Sequence, residues 1–342
     1  MARLPSNKIK IKDIAKIAGV SPGTVSNALN NRKGVSEEIK QEILKIAEST
    51  GYNKPSAKKT SNNLHFIALN RFGYAESYAF FFYQILDGIN SQCKAHDMNL
   101  IVSNIPSSAL KQCLQDHPNV AGNLILATEM TQDELDDIAS AATVPTVLID
   151  NYFPNFQYDF IGSDNEAGFY LATKHLIAHG HKKIGLLSCR NLIHNFYYRI
   201  RGFHTALEEA GLSFDPRLEF RVSHSIDEAY TDTLQILQQF DLNALPTAFA
   251  ALNDTIAVGA IKAFAECGIK IPEDISVIGF DNTALGAINS PALTTIHINF
   301  KAVGEAAVSR VVHLMQNAAS DRISMLFSPK LIVRDSVQPP RY

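Results

Sequence analysis

The stretch 11–31, IKDIAKIAGVSPGTVSNALNN, predicts two short helices joined by a tight turn. Its first half has apolar residues at helical spacing, which give one apolar face: Ile11, Ile14, Ala15, Ile17 and Ala18. Gly19 suits the left-handed conformation that ends a helix, and Ser21 before Pro22 is a favourable start for the next one. The second helix would turn Val25, Ala28 and Leu29 inward. It would leave small polar side chains facing outward: Ser21, Gly23, Thr24, Ser26 and Asn27.

A helix-turn-helix places such a second helix in the major groove of DNA, whereas a plain helical hairpin inside a bundle would have the same pattern. Charge favours the first interpretation. Residues 1–60 contain 12 Lys and Arg against 5 Asp and Glu, a net charge of +7, while the whole chain of 342 residues carries −3. A basic segment attached to an acidic body indicates a module that binds phosphates.

A third helix follows in VSEEIKQEILKIAESTGY (35–52), where Ser36 is the predicted N-cap and Gly51 the end, with a core face made by Ile39, Ile43, Ile46 and Ala47. Together with 11–31, this segment resembles the headpiece of the lactose/galactose repressor (LacI/GalR) family. The resemblance implies a three-helix DNA-binding headpiece at 1–55. We expect the DNA contacts to come from its polar and basic side chains: Lys10, Lys12, Ser21, Pro22, Gly23, Thr24, Ser26, Asn27, Asn30, Lys58 and Lys59.

The segment 52–63, YNKPSAKKTSNN, has no apolar periodicity, and 56–63 is predicted to be a linker. In the family this linker forms a hinge helix with an Ala-Arg-x-Leu motif, whose leucine enters the minor groove. Here Ala57 is followed by two lysines and a threonine, and the next leucine is Leu64. We therefore expect a basic tether without a leucine wedge, and Leu64 is expected to be buried in the first strand of the core.

From residue 64 onward, apolar strands alternate with amphipathic helices, which predicts parallel sheets covered on both faces. Two such series in succession, the second opening at DFIGS (159–163), indicate an α/β core of two doubly wound subdomains. The tail from 293 would return to complete both sheets, with three crossings between them. The resemblance implies a periplasmic-binding-protein-like core at 64–342. Its N-subdomain would comprise about 64–162 plus 294–320, and its C-subdomain about 163–293 plus 321–342.

In open α/β sheets, ligands bind beyond the carboxyl ends of the strands. Residues just after the predicted strands are mostly short and polar, and aromatic side chains follow in RFGYAESYAFFFY (71–83), of which one ring is expected in a cleft. By resemblance, Arg199, Asn253 and Asp281 match the principal effector contacts of the family, and Asp150 and Ser163 match weaker ones. The predicted effector-binding residues are Asn70, Phe72, Asp150, Ser163, Arg199, Asn253 and Asp281.

Each of these residues also has a purely structural interpretation. Asp281 would cap the loop that follows it, Arg199 would pair with a surface acid, and Asp254 would be the N-cap of a helix rather than a ligand contact. His179 and His181, which flank Gly180 at a helix end, are expected to interact with the helix dipole rather than with a metal.

The sequence contains no nucleophile elbow, Walker loop or dinucleotide-binding fingerprint, so we expect no enzyme and no cofactor. Cys93, Cys113, Cys189 and Cys267 show no CxxC spacing and no histidine at ligand spacing, and are expected to be reduced, mostly buried thiols without a metal. The N-terminus lacks the apolar segment of a signal peptide, which favours a cytoplasmic location over a free solute-binding protein.

These features predict a ligand-responsive, sequence-specific DNA-binding regulator, acting in repression rather than activation, that binds a pseudo-palindromic operator as a homodimer. A small sugar or sugar derivative is the first candidate effector, and a purine or nucleoside is the alternative because the family has a purine-binding branch. The sequence leaves open the operator sequence, the sign of the response and the choice between dimer and tetramer.

Overall fold

The computed structural model describes residues 10–29, 34–50, 52, 62–72, 79–153, 158–317 and 321–341. The chain forms two compact units, Met1–Ser61 and Asn62–Tyr342. We call the first unit the headpiece and the second the core. Within the described residues, no helix is both long and apolar enough to cross a membrane.

The headpiece contains three helices: α1 (Ile11–Ile17), α2 (Pro22–Leu29) and α3 (Glu37–Ser49). Gly19 has a φ of +65°, as the turn between α1 and α2 requires. The Ser21 hydroxyl oxygen accepts the Thr24 N–H at 3.1 Å, and that of Ser36 accepts the Ile39 N–H at 3.5 Å. Both predicted N-caps are therefore confirmed.

The small core of the headpiece is made by Ile14, Ala15, Val25, Ala28, Ile43 and Ala47. Two predicted core positions are wrong, since Ile17 is 58% exposed and Ile39 is 37% exposed. An α-helix turns by about 100° per residue, which places Ile17 about 100° away from Ala18 and off the buried face. Ile39 belongs to the correct stripe of α3, but it lies in the first turn, where the other two helices cover it incompletely.

The first sheet of the core has six parallel strands in the order β11-β5-β4-β3-β1-β2. The strands are β1 (Asn63–Asn70), β2 (Asn99–Pro106), β3 (Gly122–Leu126), β4 (Thr146–Ile149), β5 (Asp159–Ser163) and β11 (Ser324–Phe327). Every residue of β3, β4 and β5 is buried, as expected for parallel strands covered on both faces. The predicted burial of Leu64 in β1 is also confirmed.

The helices that belong to this first sheet are α4 (Ala79–Ala95), α5 (Leu110–Asp116), α6 (Gln132–Ala141) and α12 (Phe300–Gln316). α4 and α12 cross at two glycines. A Cβ at Gly88 would lie 2.0 Å from the Lys301 carbonyl oxygen, and one at Gly304 would lie 2.3 Å from the Ile85 carbonyl oxygen. The two helix backbones therefore touch directly at this crossing.

The second sheet has four parallel strands in the order β7-β6-β8-β9. The strands are β6 (Ile184–Cys189), β7 (Glu219–Val222), β8 (Ala248–Ala251) and β9 (Ser276–Ile278). The accompanying helices are α7 (Asn165–Ala178), α8 (His194–Glu209), α9 (Ile226–Gln239), α10 (Asp254–Glu266) and α11 (Ala284–Ile288). Beside this sheet, β10 (Thr295–His297) and β12 (Lys330–Ile332) form an antiparallel pair.

Two predicted boundaries within the core are wrong. The strand at 159–163 does not open the second series, because β5 pairs with β4 in the first sheet. The segment 321–342 does not belong wholly to the second subdomain, because β11 pairs in parallel with β5, with Met325 opposite Ile161. The chain thus leaves the first sheet after β5, returns with α12 and β11, and leaves again with β12. Three crossings were predicted, and three are present.

Candidate functional site

A cleft lies where the carboxyl ends of strands from both sheets come together. Its lining combines polar side chains that follow β3, β4, β8 and β9 with residues of α4, α8 and α12. The lining residues are Phe81, Thr128, Asp150, Ile193, Asn195, Phe196, Arg199, Asn253, Asp281 and Phe300. The strand-end rule applied to the sequence thus locates the cleft correctly.

Arg199 projects from α8, and its guanidinium group is held on three sides. Its Nε donates to the Asn165 side-chain oxygen at 2.8 Å, Nη1 donates to the Leu252 carbonyl oxygen at 2.6 Å, and Nη2 donates to the Asp281 carboxylate at 3.1 Å. The guanidinium also lies 3.7 Å from the centroid of the Phe280 ring, a cation–π contact. A buried cation fixed in this way offers a rigid hydrogen-bond donor to a ligand.

Arg199 does not pair with a surface acid, because its partner Asp281 is only 8% exposed. It also gives Asp281 a role other than loop capping, since the carboxylate accepts from Arg199 while the backbone N–H of Asp281 donates to Ile296 at 2.8 Å. Burial raises the pKa of Asp281, and the charge of Arg199 opposes that rise.

Asp150 is the second carboxylate in the cleft and lies on the side of the first sheet. It accepts hydrogen bonds from the Thr128 hydroxyl at 2.7 Å and from the Asn195 amide at 2.9 Å. Burial raises its pKa to about 6, although these hydrogen bonds and the charge of Arg199 lower it. Because Asn195 belongs to α8, the hydrogen bond between Asn195 and Asp150 links the two halves of the core across the cleft.

Both carboxylates lie on backbone with positive φ, +73° at Asp150 and +101° at Asp281. Such conformations are uncommon for residues other than glycine and cluster at binding and catalytic sites. Asp150 follows β4 directly and Asp281 lies three residues after the end of β9, so the chain turns close to the point where each side chain enters the cleft.

Asn253 rather than Asp254 is the N-cap of α10, because its side-chain oxygen accepts the Ile256 N–H at 2.9 Å. The predicted capping role of Asp254 is therefore wrong. Asp254 is fully buried, and its carboxylate accepts from the Thr283 N–H at 2.6 Å and the Thr295 hydroxyl at 2.5 Å. It fastens the loop after β9, which carries Asp281, to the start of α10. Burial raises the pKa of Asp254 to about 7.

Three phenylalanine rings form the apolar part of the cleft. Phe81 belongs to the predicted aromatic run, and it lines the cleft. Phe300 lies against it, with ring centroids 5.5 Å apart, and Phe196 comes from α8. Sequence patterns missed Phe196 and Phe300, because each occupies an apolar helix position that looks like ordinary core. They also missed Thr128 and Asn195, which resemble many other short polar residues near element ends.

Three predicted effector-binding residues lie outside this cleft. Ser163 lines a neighbouring cavity together with Asn165, Tyr198 and other residues. Asn70 is the last residue of β1 and Phe72 lies two residues beyond it, and neither lines one of these two cavities in the part of the chain that is described.

In the headpiece, the polar side of α2 is available as predicted. Lys10, Lys12, Ser21, Pro22 and Gly23 are exposed, while Thr24, Ser26 and Asn27 are half-buried. The Ser21 and Thr24 hydroxyl groups lie 2.9 Å apart and share a hydrogen bond. Asn30, Lys58 and Lys59 lie outside the described residues, as do 56–61 of the predicted linker, while Asn63 at its end already belongs to β1.

Comparison with known proteins decides the family. Residues 10–55 match the family of bacterial regulatory proteins of the lacI type, and residues 173–337 match a periplasmic-binding-protein-like domain. The HTH-type transcriptional repressor PurR of Pasteurella multocida is 33% identical over 334 residues, which cover 96% of this chain and 98% of that protein. The chain belongs to the lacI family. It is a ligand-responsive, DNA-binding transcriptional repressor.

Other members of the lacI family agree in sequence and in fold. The PurR repressor of Vibrio vulnificus is 32% identical over 332 residues, covering 96% of this chain and 98% of that protein. The lac repressor dimer bound to operator and the anti-inducer ONPF is 26% identical, with a TM-score of 0.72 over 97% of this chain and 100% of that chain. A CelR–cellobiose complex has a TM-score of 0.73 over 96% of this chain and all of that one, and at 20% identity it shows the common fold alone.

Proposed function

We propose that a small neutral polyol, a sugar or sugar derivative, binds in the Arg199–Asp281 cleft and controls repression. The observation that carries this proposal is the convergence of two buried carboxylates and one fixed guanidinium from both halves of the core on a single cleft. A polyol presents adjacent hydroxyl groups that both donate and accept, which matches carboxylate acceptors beside an arginine donor. The phenylalanine rings supply the surface for its apolar face.

In this proposal the contacting residues are Asp150, Arg199, Asn253 and Asp281, with Thr128 and Asn195 added from the structure. The ligand would replace the hydrogen bond between Asn195 and Asp150 by contacts of its own, and so change the closure of the two subdomains. A homodimer on a pseudo-palindromic operator would convert that closure into altered spacing of its two headpieces. Couplings between such sites amount to about 1–3 kcal/mol. Binding to operator DNA places this activity in the cytoplasm.

A purine is the second candidate, for two reasons. The family includes a purine-binding branch, and the PurR repressors of several bacteria match this chain over 96% of its length. Moreover, flat bases stack on aromatic rings, and Phe81, Phe196 and Phe300 all line the cleft. The two candidates differ in chemistry, so one screen separates them.

The screen measures thermal stability of the full-length protein with a panel of sugars, nucleobases and nucleosides. A ligand at 100 times its Kd stabilises the folded state by about 2.7 kcal/mol. Asp281→Asn keeps the shape and tolerates the positive φ, but removes the charge, and should weaken the identified ligand at least tenfold. Asp97→Asn is the matched control, since Asp97 is an exposed aspartate that also has positive φ, at +52°. A purine that binds while no sugar does would replace the first candidate with the second. Equal ligand affinity in Asp281→Asn and Asp97→Asn would move the site out of this cleft.

A further inference from the structure

A second group of side chains, outside the effector cleft, brings together two histidines and a cysteine. His65 comes from β1, Cys113 from α5, and His117 follows α5 directly. One ring nitrogen of each histidine and the Cys113 sulfur lie within 4.8 Å of one another. The prediction that no histidine lies at ligand spacing from a cysteine is wrong. Cys113 and His117 are four residues apart and therefore lie on the same side of one helical turn.

Hydrogen bonds at this group fix the histidine tautomer that a metal requires. Nδ1 of His117 lies 3.0 Å from the Cys113 carbonyl oxygen. A carbonyl only accepts, so Nδ1 carries the proton and Nε2 keeps a free lone pair. Histidine ligands of metals usually donate their second N–H to a carbonyl, carboxylate or water in this way.

His65 is fully buried and has a hydrogen bond at only one of its ring nitrogens. Its Nε2 lies 2.8 Å from the Ser103 hydroxyl, while Nδ1 has no hydrogen-bond partner in the described structure. A buried polar atom without a partner is rare and calls for an explanation.

Ser103 connects the third ligand to the same network. Burial raises the pKa of the Cys113 thiol, and a hydrogen bond between its sulfur and the Ser103 hydroxyl group opposes that rise. The same hydroxyl group contacts Nε2 of His65, so Ser103 links two of the three side chains. Cys113 is 9% exposed, so the sulfur is shielded but not sealed from solvent.

We propose that His65, Cys113 and His117 bind a divalent transition-metal ion, with Zn²⁺ as the best match. Thiolate and imidazole together favour zinc over calcium or magnesium, which prefer oxygen. Ligands at zinc distances of about 2.0–2.3 Å in tetrahedral geometry stand about 3.5 Å apart, so the group contracts by about 1.3 Å at most on binding. The thiol proton leaves to solvent as the Zn–S bond forms, and a water completes the fourth position. The ion would tie α5 to β1.

The test titrates Zn²⁺ by calorimetry, and Co²⁺ by absorption, into the chelator-treated full-length protein. One ion per chain and a thiolate-to-Co²⁺ charge-transfer band are expected. Cys113→Ser should abolish the band and His117→Gln should weaken Zn²⁺ at least tenfold, while Cys267→Ser changes neither. Affinity should rise with pH, because binding releases a proton.

His117→Gln also guards against misfolding, since His117 is half-buried and its loss leaves the sheet intact. No Zn²⁺ binding by the wild-type protein, a Co²⁺ complex without the charge-transfer band, or equal affinities in Cys113→Ser and Cys267→Ser would each overturn the proposal.

Discussion

Asp254 combines full burial with a raised pKa, and this makes it the side chain whose protonation most directly affects stability. Its folded pKa of about 7 exceeds its ordinary value of 3.8 because burial disfavours the charged form. The folded state therefore keeps a proton that the unfolded state releases. The contribution of Asp254 to the stability of the core is full below about pH 4 and is lost as pH rises toward about 7, by at most about 4 kcal/mol.

Asp254→Asn should remove most of that decline, because asparagine still accepts from the Thr283 N–H and contacts Thr295 without a charge to bury. Urea unfolding of the wild-type protein and the variant between pH 4.5 and 8 measures the difference. A smaller decline remains from Asp150, whose pKa is raised to about 6. Asp97→Asn should retain the wild-type profile, and an unchanged profile in Asp254→Asn would contradict the prediction.

At the same scale, the sequence predicted which residues enter the cleft better than it predicted how they are held. Asp150, Asn253 and Asp281 lie within three residues after the ends of β4, β8 and β9, and the strand-end rule finds such residues from local pattern. Arg199 was found only by family resemblance, since its contact with Asp281 joins positions 82 residues apart. The exchange of roles between Asn253 and Asp254 also escaped prediction, because both residue types cap helices equally well.

At the scale of elements, the crossing of α4 and α12 depends on the absence of two Cβ atoms. Gly304→Ala would place a methyl group 2.3 Å from the Ile85 carbonyl oxygen, on a backbone that cannot rotate away. We expect this overpacking to lower the free energy of unfolding by about 1–3 kcal/mol, even though alanine has a better helix propensity than glycine. Thermal unfolding measures it, with Glu305→Ala on the same helix as a control of small effect. An unchanged Tm for Gly304→Ala would show that the helices separate freely.

Helices and strands were predictable because their apolar periodicity is local. The pairing of the strands was not predictable in this way. Nothing in Ser324–Phe327 shows whether this strand pairs with β5 or with the second sheet. The pairing depends on where the end of α12 places the chain that follows it. Exposure of Ile17 was predictable in principle from its angle around α1, although spacing alone suggested burial.

For the whole molecule, the separation of charge predicts how operator binding depends on salt. The 1–60 segment carries +7 and the remainder −10. Each phosphate that the protein neutralises contributes about −0.9 to the slope of the logarithm of the binding constant against the logarithm of the salt concentration. The total slope should therefore amount to several units. Lys12→Ala should weaken all sequences alike and reduce the slope by about 1, whereas Thr24→Ala should change sequence preference with the slope retained. Fluorescence anisotropy across a salt series checks this, and operator affinity that is flat with salt would contradict it.

The late return of β11 to the first sheet has a consequence during synthesis. While the ribosome makes residues 164–323, β5 is an edge strand whose outer N–H and C=O groups lack their partner in β11, because that strand has not yet been translated. Such an edge is a template for pairing with other chains. The nascent protein therefore has an unpaired edge at β5 through about half of its translation. A stop codon shortly before Ser324 would leave this edge unpaired in the finished protein. Nonsense alleles near the end of the gene should for this reason yield aggregates rather than slightly shortened repressors.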